Sequence, residues 1–185
     1  MKIMKHEGDW CYLLVAIDTP ATALGPFESF VDLWRAKRCD ERLPAWRDFE
    51  LSDFQGWWGW ITVIDFLAAD PRDHRYRLWG SQLTNATEIE MTSLRMADNW
   101  DGPGKATSFT DIDIEFLAAI RTGENIGWYT GPLNSRFPGV QTLQTIRMPL
   151  ADDGVTVDKV MSATLVSSPE KAWWPPGLDD RHSDA

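Results

Sequence analysis

Cysteine and histidine are both scarce in this chain of 185 residues, which contains two of the former and three of the latter. Cys11 and Cys39 could form one disulfide at most, and two reduced thiols are the simpler interpretation. His6, His74 and His182 are far apart in the sequence, so we expect each to be an isolated surface residue. Neither residue type forms a cluster with the spacing of metal ligands, and we expect no metal site.

Long hydrophobic segments and excess positive charge are also missing. The longest apolar run near the N-terminus, residues 11–17, is far shorter than the ~18 residues that a transmembrane helix needs. Glu7 and Asp9 stand where a signal peptide would carry positive charge. A net charge of −10 opposes contact with a phosphate backbone. These absences predict a cytoplasmic protein that binds neither membranes nor nucleic acids.

Phosphate loops and catalytic acidic clusters are not evident either. The segment Asp101–Gly104 is too short for a phosphate-binding loop and contains proline. Asp111, Asp113 and Glu115 are close in sequence, but the helix dipole favours negative charge in the first turns of a helix. We therefore interpret this trio as the start of a helix rather than as a metal or acid–base site.

The sequence does contain the pattern of an α+β domain with one antiparallel sheet. Aromatic and β-branched residues at 57–66 and alternation at 75–79 predict two strands around a turn at 70–73. The other predicted elements are a helix at 27–38, short helices within 81–95, a longer helix at 110–121, and strands at 126–133, 140–150 and 155–167. We divide the chain into an N-terminal appendage (1–24), an N-terminal helix with its connector (25–55), a core (56–167) and an irregular tail (168–185).

Four short segments carry a family resemblance. They are Leu33–Arg38, Leu43–Phe49, Arg75–Gly80 and Met148–Gly154, the last followed by Val157 and Asp158. In their order and spacing the chain resembles PAS domains over about residues 27 to 167, and more specifically a family of small, mostly stand-alone bacterial PAS proteins. The resemblance implies a five-stranded antiparallel sheet with short helices and one longer helix on one face, plus an N-terminal helix. It also implies a sensory or protein-interaction role without fixed catalytic residues, and a signalling protein as a partner.

The cofactors of some PAS domains can be considered from the same residues. A flavin-photosensing PAS domain needs a cysteine in an Asn-Cys-Arg context on a helix that faces the flavin, and neither cysteine of this chain has that place. A haem PAS domain usually takes an axial histidine from the long helix or its neighbours, where this chain has none. We therefore expect no cofactor.

PAS domains bind small molecules between the inner face of the sheet and the longer helix, here residues 110–121. The resemblance therefore implies a ligand site there, and the alternative is that the same side chains simply fill the core. The candidate lining residues are Ile64, Tyr76, Leu78, Phe116, Ile120, Trp128, Ile146 and Met148.

Asp65 interrupts an apolar strand and leads to a second functional hypothesis. It is either a strand-end residue that bonds to backbone N–H groups, or a polar anchor in an apolar pocket. In the second case the chain could be a small α+β enzyme, such as an isomerase or hydrolase, with Asp65 as general base and Tyr129 or Trp60 as hydrogen-bond donor.

The N-terminal helix carries an apolar stripe that includes Phe27, Phe30, Val31 and Trp34. The stripe is wider than one sheet edge needs, and an exposed stripe of this kind marks an interface. It therefore predicts a homodimer in which these residues form a two-fold contact. The competing interpretation is that the helix covers its own sheet in a monomer.

Overall fold

Seven strands form a single antiparallel sheet in the computed structural model, which describes residues 2–7 (backbone only), 10–96, 111–133 and 141–175. The strands are β1 (Lys2–Glu7), β2 (Trp10–Ala16), β3 (Ile61–Phe66), β4 (His74–Trp79), β5 (Asn125–Leu133), β6 (Gln141–Leu150) and β7 (Lys159–Ser167). Their order across the sheet is β1-β2-β5-β6-β7-β3-β4. The α-helices are α1 (Glu28–Ala36), α2 (Ser81–Thr87) and α3 (Asp111–Arg121), and short 3-10 helices cover Ala21–Phe27, Trp46–Asp48, Leu51–Phe54 and Pro169–Lys171.

The expected α+β class with an antiparallel sheet is confirmed, whereas the expected number of five strands is wrong. From β3 onward the elements follow the predicted order of two strands, a short helix, a longer helix and three strands. Residues 57–60 form a turn instead of the start of β3. The two additional strands, β1 and β2, come from the N-terminal segment. The turn predicted at 101–104 lies outside the described residues.

The N-terminal segment is part of the sheet rather than an appendage. Strand β2 pairs with β5 along its whole length, from Cys11 opposite Thr130 to Ala16 opposite Asn125. Five consecutive residues of β2, 11–15, are buried. A continuous apolar run of this kind is typical of a strand that is covered on both faces. The boundary predicted at residue 24 therefore does not separate an independent unit.

Both faces of the sheet are covered, and each contacts a different helix. Because successive side chains of a strand point to opposite sides, the residues of β2, β3 and β7 divide between two separate hydrophobic clusters. We call the two sides the α1 face and the α3 face, after the helix that packs on each. Buried side chains on the α1 face include Leu13, Val15, Ile61, Val63, Ile126, Trp128, Ile146, Met148, Met161 and Ala163.

The apolar stripe of the N-terminal helix is the inner surface of α1. Phe27, Phe30, Val31 and Trp34 have no exposed surface in the single chain. The indole Nε1 of Trp34 donates a hydrogen bond of 2.9 Å to the carbonyl oxygen of Pro149. The prediction that these four residues form a dimer interface is wrong, because the helix covers its own sheet.

The width of the stripe is explained by a second contact of α1. The ring of Phe30 lies 5.3 Å from that of Trp57 and 6.3 Å from that of Phe54. Phe27 stacks on the same Trp57 at 6.0 Å. The connector between α1 and β3 therefore packs on the side of the helix that the sheet does not reach.

On the opposite side, α3 approaches the sheet closely at a glycine. A Cβ atom at Gly127 would lie 2.4 Å from Cζ of Phe116 and 2.5 Å from Cδ1 of Ile120. Any other residue at this position of β5 would have to displace the side chains of Phe116 and Ile120. The absence of a side chain at Gly127 therefore lets these two residues pack directly on the strand.

The first part of the tail has no strand or α-helix but is held firmly. The side-chain amide of Gln144 accepts a hydrogen bond of 3.0 Å from the backbone N–H of Trp173 and donates one to its carbonyl oxygen. Trp173 and Trp174 contact Trp128 edge to face, with ring centroids 5.9 and 5.8 Å apart. Residues up to 175 therefore form a strap on the α1 face. The prediction for 176–185 falls outside the described residues.

The two cysteines are free thiols and form no disulfide with each other. Cys11 is a buried free thiol and Cys39 an exposed one, and burial raises the pKa of Cys11. None of the helices within the described ranges is long and apolar enough to cross a membrane.

The packing of α1 can be tested by replacing Phe30 with alanine. Because the ring is completely buried, we expect the free energy of unfolding to fall by ~3–5 kcal/mol in urea denaturation. Leu51→Ala is the control, since Leu51 is 75% exposed and its change should stay within ~0.5 kcal/mol. A Phe30→Ala protein of unchanged stability that dissociated from a dimer would show that α1 is an interface.

Candidate functional site

The eight predicted lining residues do not share one site, because the sheet separates them. Four lie on the α3 face, namely Ile64, Tyr76, Phe116 and Ile120. The other four lie on the α1 face, namely Leu78, Trp128, Ile146 and Met148. A pocket lined by all eight is therefore wrong. Leu78 changes side because β4 has one extra residue, Arg77, between the partners of Val63 and Ile64.

The α3 face carries a group of polar side chains that are buried. We call Thr62, Thr145, Arg147, Ser162 and Thr164 the polar patch; each is at most 9% exposed. The strand register places them side by side, with Arg147 opposite Ser162 and Ser162 opposite Thr62. The hydroxyls of Thr145 and Thr164 share a hydrogen bond of 2.9 Å. Of this patch, Arg147 contacts α3, through the ring of Phe116.

Arg147 is the centre of this patch. Its guanidinium lies over two aromatic rings, 4.8 Å from the centroid of Tyr129 and 5.9 Å from that of Phe116. One nitrogen, Nη2, makes a long contact of 3.4 Å with the hydroxyl of Tyr129, and the other, Nη1, is buried without a hydrogen-bond partner. Burial by itself lowers the pKa of Arg147, but Tyr129, Tyr76 and Asp113 raise it above its ordinary value. The group is therefore a buried permanent cation.

Phenolic hydroxyls lie beside the guanidinium. Tyr12 stacks on Tyr129 at 5.8 Å and donates a hydrogen bond of 2.9 Å to Oδ1 of Asp113. Burial, followed by the charge of Asp113, raises the pKa of Tyr12, and burial also raises the pKa of Tyr76. Both phenols are therefore protonated at neutral pH and can serve as hydrogen-bond donors.

His74 is buried, so the prediction of a surface histidine is wrong at this position. It begins β4 instead of ending the preceding turn, and its Nδ1 lies 2.7 Å from the carbonyl oxygen of Pro71. Burial lowers the pKa of His74 to about 4, against the opposing effect of the hydrogen bond with Pro71. The imidazole is therefore neutral at pH 7. The side chain of His6 and all of His182 lie outside the described part of the chain.

Asp65 is held by two arginines on the other side of the sheet. Its carboxylate accepts a hydrogen bond of 3.0 Å from Nη2 of Arg75 and one of 2.8 Å from Nε of Arg77. The expected bonds to backbone N–H groups are replaced by these two ion pairs. Since Asp65 follows Val63 on the α1 face and Tyr129 contacts the α3 face, the two cannot act on one substrate as base and donor. Trp60 lies in the turn before β3.

The acidic trio at the start of α3 is not a metal cluster. Asp111 is exposed and pairs with Arg72 at 3.6 Å, while Asp113 faces Tyr12. Glu115 is exposed on the outer side of the helix. In the part of the chain that the structure describes, no group of three or more His, Cys, Asp or Glu side chains is arranged to hold a metal ion.

The polar patch presents groups that can form hydrogen bonds and ion pairs with a ligand. It offers one guanidinium, several hydroxyls and the phenols beside them. Within the described residues, no histidine or carboxylate bonds to a serine or threonine hydroxyl of the patch, so nothing there activates a nucleophile. No protein-family model, no curated protein and no solved structure matches this chain. Function is therefore inferred from the site itself.

The contact between α3 and the site can be tested with Phe116→Ala. The ring is completely buried and meets Tyr12 edge to face at 5.3 Å, so we expect a loss of ~3–5 kcal/mol in the free energy of unfolding. Glu115→Ala, an exposed neighbour on the same helix, should leave stability nearly unchanged in the same urea titration. Equal midpoints for the two variants would mean that α3 does not pack on the sheet as described.

The buried histidine predicts a pH dependence of stability. Because the pKa of His74 falls from 6.5 to about 4 on folding, the unfolded chain binds the proton more readily. Stability is therefore greatest above pH 6.5 and declines as the pH falls towards 4. From pH 7 to pH 5 this one residue should cost ~2 kcal/mol.

His74→Asn is the matched variant, since its amide can still reach the Pro71 carbonyl. In chemical denaturation, the wild type should lose ~2 kcal/mol more stability than His74→Asn when the pH falls from 7 to 5. Identical pH profiles for the two proteins would contradict a neutral buried imidazole.

Proposed function

We propose that the protein is a cytoplasmic PAS-type sensory or adaptor domain, without catalytic activity, that binds a small molecule between the sheet and α3. The observation that carries this proposal is the buried polar patch with the unpaired Nη1 of Arg147 at its centre. The order of the elements from α1 to β7, which is the order that the PAS resemblance implies, supports it.

The surroundings of the patch match the usual composition of a ligand site. Such sites are mostly apolar, with a few polar groups that fix orientation. Here the apolar side chains are those of Ile64, Tyr76, Met91, Met96 and Phe116, all of which belong to the α3-face cluster. A buried N–H group without an acceptor costs free energy, more so when it is charged. A bound molecule with a suitable acceptor would remove that cost.

The interaction partners also remain part of the proposal. A signalling partner or a second copy of the chain would contact surfaces other than the inner stripe of α1, because Phe27, Phe30, Val31 and Trp34 are buried in the single chain. Such contacts would transmit the occupancy of the α3-face site.

Native mass spectrometry of freshly purified protein tests the ligand site. We expect a species heavier than the 21.1 kDa chain that loses a small molecule on denaturation. Ser162→Val, which replaces a patch hydroxyl by methyl groups, should reduce the bound fraction. Thr130→Val changes a buried hydroxyl of the α1 face and should leave the bound fraction unchanged. Protein that carries no small molecule and does not bind any compound of the panel described below would contradict the proposal.

A further inference from the structure

The described residues include two buried cations, and their environments differ sharply. Lys159 is 8% exposed and lies 2.7 Å from Asp152 and 3.1 Å from Asp158. Arg147 is 9% exposed, yet within the described residues no carboxylate forms an ion pair with it. Burial of a cation is normally accompanied by a counter-charge because desolvation is costly. Among the described residues, carboxylates form ion pairs with the lysine, whereas none forms an ion pair with the arginine.

Among the described residues, Asp113 is the carboxylate whose charge acts on Arg147. It forms no hydrogen bond with the guanidinium, and its Oδ1 accepts the hydroxyl hydrogen of Tyr12. Both nitrogens at the end of the Arg147 guanidinium thus remain available, since Nη1 has no partner and Nη2 has only the 3.4 Å contact with Tyr129. Two parallel donors of one guanidinium match the two oxygens of a carboxylate.

The aromatic rings around the guanidinium indicate the chemical character of the part of the ligand that does not contact Arg147. Tyr129 and Phe116 lie next to Arg147, and Tyr76 and Trp79 meet edge to face at 5.1 Å on the same face. Aromatic walls favour a flat, apolar body that packs against their faces or edges. A phosphate group would require several cationic or backbone donors, and the patch contains one cation.

We propose that the small molecule bound at the α3 face is an organic monocarboxylate with an aromatic body, and that Arg147 binds its carboxylate. This inference rests on the proposed ligand-binding function and names the class of ligand. The carboxylate supplies the missing counter-charge, and the aromatic body lies between the sheet and α3.

Isothermal titration calorimetry with matched acid and amide pairs tests the proposal. The probes are phenylacetate with phenylacetamide and indole-3-acetate with indole-3-acetamide, together with inorganic phosphate. The amides keep the shape of the acids and lose the negative charge. For the wild type we expect at least one acid to bind ten-fold or more tightly than its amide, and phosphate not to bind.

Two arginine variants test whether Arg147 is responsible for the preference for the acid over the amide. Arg147→Met should abolish the preference for the acid, and its melting temperature without ligand should be equal to or higher than that of the wild type, because an unpaired buried charge is removed. Arg121→Met is the control, since Arg121 bonds to the carbonyls of Ala68 and Ala69 and lies outside the patch. It should keep the preference for the acid.

The outcomes separate this inference from the proposed function. Amides that bind as tightly as the acids would overturn the carboxylate inference and leave the ligand site in place. Phosphate binding that Arg147→Met abolishes would overturn it as well. Failure of every compound to bind, with no retained molecule in native mass spectrometry, would overturn both. Should Arg147→Met not fold, the role of Arg147 is structural, and the acid and amide comparison on the wild type still decides the ligand class.

Discussion

The alternation of side chains along each strand is the constraint on which the rest of this structure depends. The sheet is covered on both faces, so β2, β3, β6 and β7 each supply two sets of buried side chains. On the α1 face the helix and its connector close over a large apolar cluster, and a few buried polar side chains such as Thr130 and Gln144 occur there as well. On the α3 face apolar side chains occur beside the polar patch, whose Arg147 contacts the ring of Phe116 on α3. The functional hypothesis follows from the buried guanidinium in that patch, one nitrogen of which has no hydrogen-bond partner.

Local composition predicted the kind and order of the elements well, because strand and helix preferences are properties of short segments. It did not predict the face of the sheet to which a residue belongs. Ile146 and Tyr76 were both apolar strand residues beside a helix, yet they lie on opposite sides. When both faces of a sheet are covered, alternate residues of a strand can all be hydrophobic, so the sequence pattern does not tell which face a residue belongs to. In addition, one extra residue in β4 places Leu78 on the opposite face from Tyr76. The apolar stripe of the N-terminal helix was ambiguous for a similar reason, because such a helix face can pack either on a partner chain or on the sheet of its own chain.

Arg147, the central residue of the candidate site, lies in a sequence pattern that indicates an exposed strand face, whereas the structure buries it. Thr145 and Arg147 alternate with Ile146 and Met148, which is the usual pattern of a strand with one wet face. Only the position of α3 over β5 and β6 shows that the polar side is enclosed. His74 was misjudged for a related reason, because the end of a turn and the first inward residue of a strand can be neighbours in sequence. Burial of polar residues is a property of the whole fold and has no local signature.

The position of β7 in the sheet has a consequence for how the chain folds during its synthesis. It is the strand that joins β1-β2-β5-β6 to the β3–β4 hairpin, through its pairing with β6 on one side and β3 on the other. A two-stranded hairpin by itself is marginally stable, and β7 is the last of the seven strands to be synthesised. A nascent chain that ends before residue 159 therefore lacks the strand that links these two parts of the sheet. Folding of the complete domain must wait for the C-terminal part to leave the ribosome, and it depends on pairing between segments almost 100 residues apart.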